Sequence, residues 1–177
     1  MSEEKFVYEE KIQKFWEEKE IYGKVKEKNK DSKPFNFVEG PPYPTGEAHL
    51  GHLRNWAIKD SVLRFKRFQG FDVYARDGYD AHGLPVENKV QKEFDIVTVD
   101  KLKSFGVDKF IKECRNYAFS IIDDMKGLRA RYGLWMDRDP YLTFHPEYIS
   151  LAWRFFKIAH EKNLLYKDYK TVGWCPH

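Results

Sequence analysis

Cysteine is scarce in this chain of 177 residues: there are two, Cys114 and Cys175, far apart in sequence. That excludes the dense disulfide framework on which small secreted domains rely and makes a reducing cytoplasm the expected compartment. Long apolar runs are missing as well. No stretch approaches the roughly 20 residues that a membrane span needs, and the opening MSEEKFVYEEKIQKFWEEKE has no apolar signal core. The expectation is a soluble, unexported protein with no membrane partner. Nor does one sign of charge dominate. With 31 basic and 28 acidic residues the net charge is +3, too even for electrostatics alone to name nucleic acid as a partner. Internal repeats are absent, and the sole biased tract is a short lysine-rich one.

What is present suffices for a core. The chain is 42% hydrophobic, 17% aromatic and 33% charged, the composition of one ordinary domain with a broad solvated surface. Val7, Lys11, Phe15 and Ile21 mark a mixed stripe, so residues 4–20 are expected to form an amphipathic helix that docks on a neighbour. Residues 24–33 are expected to be a polar connection. Pro34-Phe35-Asn36-Phe37-Val38 alternates as a short strand does. The prolines and glycines of Gly40 to Gly46 then impose a stiff loop.

Leu53, Trp56, Ala57, Leu63 and Phe65 give residues 50–68 an apolar helical face, with Gly70 as the stop signal. Asp72 to Arg76 is expected to be a second strand. Asp77-Gly78 should turn it into another loop, running to Pro85. The order strand, loop, helix, strand is a βαβ unit, whose strands pair in parallel. Both loops then emerge at the same strand ends, where open α/β sheets bind ligands. Downstream, Ile111, Cys114, Ala118, Ile121, Met125 and Leu128 predict a long helix over 108–132, ended by Gly133. Pro146 opens a further helix to about Lys162, and residues 164–174 are expected to be extended.

The chemistry-bearing residues gather at the two loops. His49-Leu50-Gly51-His52 lies where the first loop enters its helix. A spacing of three puts both imidazoles on one face of the first turn, beside backbone N–H groups with no partner inside the helix. Such a terminus favours anions, so phosphate is the natural ligand, and Gly51 leaves room for a flat purine against the backbone. Two other readings stay open here. The histidines could simply cap the helix, or His49, His52, Asp80 and His82 could ligate zinc in a metal-dependent hydrolase. Dedicated hydrolase helices, however, more often space two histidines by four with a glutamate between. In the second loop Asp77 fits an ordinary turn role, whereas Asp80 fits pairing with an ammonium group. His82 and Glu87 are ambiguous, since a glutamate in a first helical turn is favoured by the helix dipole alone.

Taken together, Gly40-Pro41-Pro42-Tyr43-Pro44-Thr45-Gly46 and His49-Leu50-Gly51-His52 resemble the "HIGH" signature region of class I aminoacyl-tRNA synthetases. Gly78-Tyr79-Asp80-Ala81-His82-Gly83-Leu84-Pro85-Val86-Glu87 resembles the companion motif of the isoleucine-specific branch. Gly133-Leu134-Trp135-Met136-Asp137, Tyr141-Leu142-Thr143 and Trp174-Cys175-Pro176 follow in the family's order. The resemblance implies an α/β fold: the first half of a Rossmann-type catalytic domain over 34–170, an N-terminal helix and linker over 1–33, and the start of an editing insertion over 171–177. It implies activation of isoleucine with ATP and Mg²⁺, followed by transfer to tRNA(Ile). On that reading His49 and His52 hold the phosphates as catalytic residues. Gly51 faces the adenine, Pro41, Pro42 and Tyr43 wall the adenylate, and Pro42 and Asp80 hold the amino acid. The family's "KMSKS" lysine loop is not found, and Cys175-Pro176-His177 resembles only the beginning of a zinc knuckle, so zinc is not expected. The chain reads as an N-terminal piece, weakly active or inactive alone and prone to self-association through an uncovered strand. A non-catalytic synthetase-like binding module, or one of two complementing halves, is the alternative.

Overall fold

A computed structural model of the chain describes residues 3–174. The expectation for Cys175-Pro176-His177 lies outside the described residues. The elements follow the order α1 (Glu3–Glu18), α2 (Ile21–Asn29), β1 (Pro34–Val38), α3 (Leu50–Phe68), β2 (Asp72–Tyr79), α4 (Leu84–Glu93), α5 (Val99–Phe105), α6 (Val107–Arg131), β3 (Asp137–Leu142) and α7 (Pro146–Glu161). Two compact units result, Met1–Thr143 and Phe144–His177.

In the first unit the strands form a parallel sheet in the order β1-β2-β3. Pro34 pairs with Asp72 and Val38 with Arg76, so the expected βαβ unit through α3 is present. Apolar side chains of α3 and the strands close over one another. Leu63, Val73 and Ala75 are buried, with Phe35, Phe37, Phe71 and Met136 packed against them. Sealing a leucine such as Leu63 from water stabilises the unit by about 2–3 kcal/mol. A second cluster, Val90, Ile96 and Phe110, joins α4 and α5 to α6.

Several expectations need correction. Residues 24–33 are not a plain connection, because α2 occupies Ile21–Asn29. A left-handed Glu20 at φ 50° separates it from α1. What holds α2 is tertiary: Asn29 Nδ2 donates to the carbonyls of Arg67 at 2.9 Å and Phe71 at 3.1 Å. Lys26 pairs with Asp137. On α1, Lys11 and Phe15 face solvent, and the side chain of Val7 lies outside the described ones. The docking face is instead Gln13, which donates to the Arg131 carbonyl at 2.7 Å, and Trp16, edge-on to Trp135 at 5.4 Å.

The second strand does not stop at Arg76 but runs on to Tyr79. β3 pairs beside that extension, Gly78 with Tyr141 and Tyr79 with Leu142, after an irregularity between Arg76 and Gly78. Pro140 is accommodated in β3 because that strand is an edge. α6 matches the expected long helix, but its inward face differs. Phe110, Ala118, Ile122, Met125 and Arg129 are buried, while Ile111 is exposed. In the second unit α7 follows Pro146 as expected, and residues 164–174 carry neither helix nor strand.

Candidate functional site

The first loop and α3 enclose a cleft of about 480 Å³, lined by Pro42, Tyr43, Thr45, Gly46, Glu47, His49 and His52. Its floor is set by the helix start. His49 is the N-cap of α3 with extended backbone, and its Nδ1 accepts from the Gly51 N–H at 3.1 Å. In return the His49 N–H donates to Nδ1 of His52 at 3.2 Å. This is a capping box built from two histidines, satisfying N–H groups the helix leaves unpaired. The capping and ligand-binding readings therefore do not compete. Because each Nδ1 is an acceptor, the proton of each neutral ring sits on Nε2, which leaves one free imidazole donor per residue.

Gly51 is needed for this arrangement. A Cβ at that position would lie 2.8 Å from Cε1 of His49, so any side chain pushes the capping ring aside. The two imidazoles are 4.1 Å apart between ring centroids, and His52 in turn lies 5.8 Å from the buried Trp56 ring. Partial burial, then His49, then the Arg129 cation hold the His52 pKa below its ordinary 6.5. His52 is thus kept as a neutral donor.

Asp80, at the end of β2, does not itself line the cleft but is tied to two residues of its wall. Its backbone N–H donates to the Pro42 carbonyl at 3.0 Å, stitching the two loops together. The Tyr43 hydroxyl donates to the Asp80 carboxylate, which raises the tyrosine pKa above its ordinary 10. Behind it, the buried Thr143 hydroxyl accepts from the Ala81 N–H at 3.0 Å and donates to Asp80 Oδ1 at 3.1 Å. Tyr117 of α6 donates to the Thr45 carbonyl at 3.1 Å and straps the other end of the first loop. Pro42, Tyr43, His49, Gly51, His52 and Asp80 therefore share one neighbourhood. Pro41 is half-buried beside Pro42 without lining the cleft. His82 is exposed, just before the left-handed Gly83 that opens α4. Glu87 lies in the first turn of α4. Among the described residues no three His, Cys, Asp or Glu groups converge as metal ligands do.

Two supporting features escaped the sequence reading. Thr143 was singled out only for its family pattern, and nothing local marks its bond to a residue 63 positions away. Arg129 forms a buried ion pair with Asp77 and lies over the Trp56 ring, its Cζ 4.4 Å from the centroid. The visible signal was a charge in register with Ile122 and Met125 on the apolar stripe of α6. Asp77 is no turn residue. It sits inside β2, accepting from the Gly78 N–H at 2.8 Å and from the Tyr79 hydroxyl at 3.3 Å. Burial and the Asp77 charge push the Tyr79 hydroxyl pKa up. Gly78 has no room for a side chain, since the Tyr141 ring lies directly over it. Tyr141 in turn donates to the Glu39 carbonyl at the end of β1.

Comparison with known proteins places this geometry in context. The model of the family described as tRNA synthetases class I (I, L, M and V) matches residues 11–177. The chain is 45% identical over 171 residues to the isoleucine–tRNA ligase of Methanospirillum hungatei, covering 96% of this chain and 16% of that protein. It is 45% identical over 170 residues to that of Methanocaldococcus jannaschii, covering 95% of this chain and 16% of that protein. It is 46% identical over 168 residues to that of Archaeoglobus fulgidus, covering 94% of this chain and 16% of that protein. The chain thus spans 16% of the length of these curated relatives. Among solved structures it resembles the ternary complex of Agrobacterium radiobacter K84 agnB2 LeuRS with tRNA and LeuAMS. That match has a TM-score of 0.65 and 25% identity, over 90% of this chain and 18% of the other.

Proposed function

The chain belongs to the class I tRNA synthetase family, and on that premise we propose that its cleft is the ATP and amino-acid portion of an isoleucine–tRNA ligase site. The observation that carries this is the convergence of two imidazoles, each with its Nδ1 engaged in the capping box at the start of α3, with an aspartate tied to the facing loop. In the reaction the isoleucine carboxylate attacks the α-phosphorus of ATP. The bond to the bridging oxygen breaks, and pyrophosphate leaves with that electron pair. Negative charge shifts along the phosphates as this happens. Nε2–H groups of His49 and His52, fixed beforehand by their capping bonds, are suited to stabilise that charge without reorganising. Gly51 lets the adenine approach the backbone, and Pro42 and Tyr43 form a rigid wall that Pro41 stiffens from beside it. Asp80 takes the substrate ammonium in a charge-assisted pair, roughly twice as strong as a neutral hydrogen bond. Mg²⁺ enters with the nucleotide as its counter-ion. Transfer to tRNA(Ile), in the cytoplasm, belongs to the whole enzyme.

The test is binding of a non-hydrolysable isoleucyl-adenylate analogue by calorimetry, with the valyl and leucyl analogues as competitors. Isoleucine-dependent ATP–pyrophosphate exchange is measured alongside. Binding that prefers the isoleucyl compound and falls in His52→Ala and Asp80→Ala is expected. A folded chain that binds none of the three overturns the proposal.

A further inference from the structure

A buried arginine is a costly way to fill space. Arg129 is 5% exposed, and among the described residues its Nε and Nη2 have no hydrogen-bond acceptor. Its charge is answered by the Asp77 carboxylate and by the faces of two rings, Trp56 at 4.4 Å and Tyr79 at 5.2 Å. A well-packed apolar side chain of similar length is often neutral or better than such a pair, so packing alone does not account for it. What an apolar residue cannot do is hold an aromatic plane by its charge. The plane in question matters, because His52 rests at 5.8 Å from Trp56, tilted 33° to it.

We propose that Arg129 is a positioning residue of the cleft. Anchored by Asp77 in β2, its guanidinium backs the Trp56 ring against which His52 lies, and so directs the Nε2 proton of His52 into the cleft. The pair also couples the two ligand-bearing segments: Asp77 lies three residues before Asp80 on the same strand-to-loop path, and Trp56 lies one helical turn after His52. This assignment rests on the ATP-site reading for its purpose, but not for its geometry. The charged and titratable groups facing His52 are His49 on its own helix, Arg129 from α6, and Tyr43 and Glu47 across the cleft.

The experiment is histidine-detected NMR on this chain, following the ring-current shift and pH titration of His52, with ATP affinity measured in parallel. Arg129→Met alone strands the buried Asp77 charge and risks the fold. The decisive variant is therefore Asp77→Asn with Arg129→Met, which removes both charges together. In that double variant the His52 resonance should lose the shift imposed by Trp56, and its titration midpoint should rise, with burial and His49 still holding it below the ordinary value. ATP binding should weaken roughly fivefold, the equivalent of one misdirected hydrogen bond. Arg129→Lys should keep the midpoint low. A purely structural pair would lower the thermal midpoint and leave the His52 shift and titration as in the parent, and that result overturns the proposal. The His52 readout decides this even if the parent chain binds no ATP, an outcome that would count against the ATP-site reading alone.

Discussion

Replacing Thr143 by valine keeps the shape of the side chain and removes its hydroxyl. Two hydrogen bonds go with it: the one accepted from the Ala81 N–H at 3.0 Å and the one given to Asp80 Oδ1 at 3.1 Å. Ala81 is 5% exposed, so water cannot take over its N–H, and a stranded buried donor costs about 1–3 kcal/mol. Asp80 is half-buried, and water recovers most of what its carboxylate loses. The expected destabilisation is about 2 kcal/mol. With a urea slope near 2 kcal/mol per molar, the unfolding midpoint should fall by about 1 M. Thr143→Ser is the control, since it keeps the hydroxyl and gives up one methyl, about 0.8 kcal/mol. Urea unfolding followed by far-UV circular dichroism compares the three proteins. The reasoning fails if the valine variant is as stable as the serine variant.

Gly51→Ala should displace the His49 ring and break its cap, lowering stability by about 1 kcal/mol and shifting the His49 ring resonances; unchanged His49 signals would contradict it. His52 is harder to protonate folded than unfolded, so as pH falls below about 6.5 the unfolded chain takes up a proton first. Stability should drop in that window, and a His52→Gln variant should show a flatter profile by urea titration. Tyr22 behaves oppositely: burial pushes its pKa from 10 up to about 12, so its contribution is intact below pH 10 and lost as pH rises towards 12. Tyr22→Phe should lose less stability than the parent across that alkaline range.

Legibility in the sequence followed the reach of the interactions involved. The span 50–68 was readable to the residue, because Gly70 is a local stop signal and the structure places α3 at Leu50–Phe68, but of the apolar face expected there Ala57 and Phe65 are exposed. Pro34 to Val38 was equally plain. Asp77-Gly78 misled because its local chemistry is that of a turn. Arg129, 52 positions on, and Tyr141, 63 positions on, make it strand instead. Lys26 and Asn29 sit in a helix whose partners, Asp137, Arg67 and Phe71, are likewise remote. For the site, the histidine pair and Gly51 were visible at the end of one loop and Asp80 at the start of the other. Their supports, Thr143 and Arg129, come from other elements and carried no comparable local mark.

The capping box has a chemical consequence of its own. Histidines that meet phosphate are usually credited with charge, so that mild acid tightens their grip. Here a proton added to Nδ1 of His52 would meet the His49 N–H head-on, and the first turn of the helix would have to open. If the cleft holds phosphate as proposed, acid would loosen that anion rather than secure it, because the capping turn is built around a His52 ring kept uncharged.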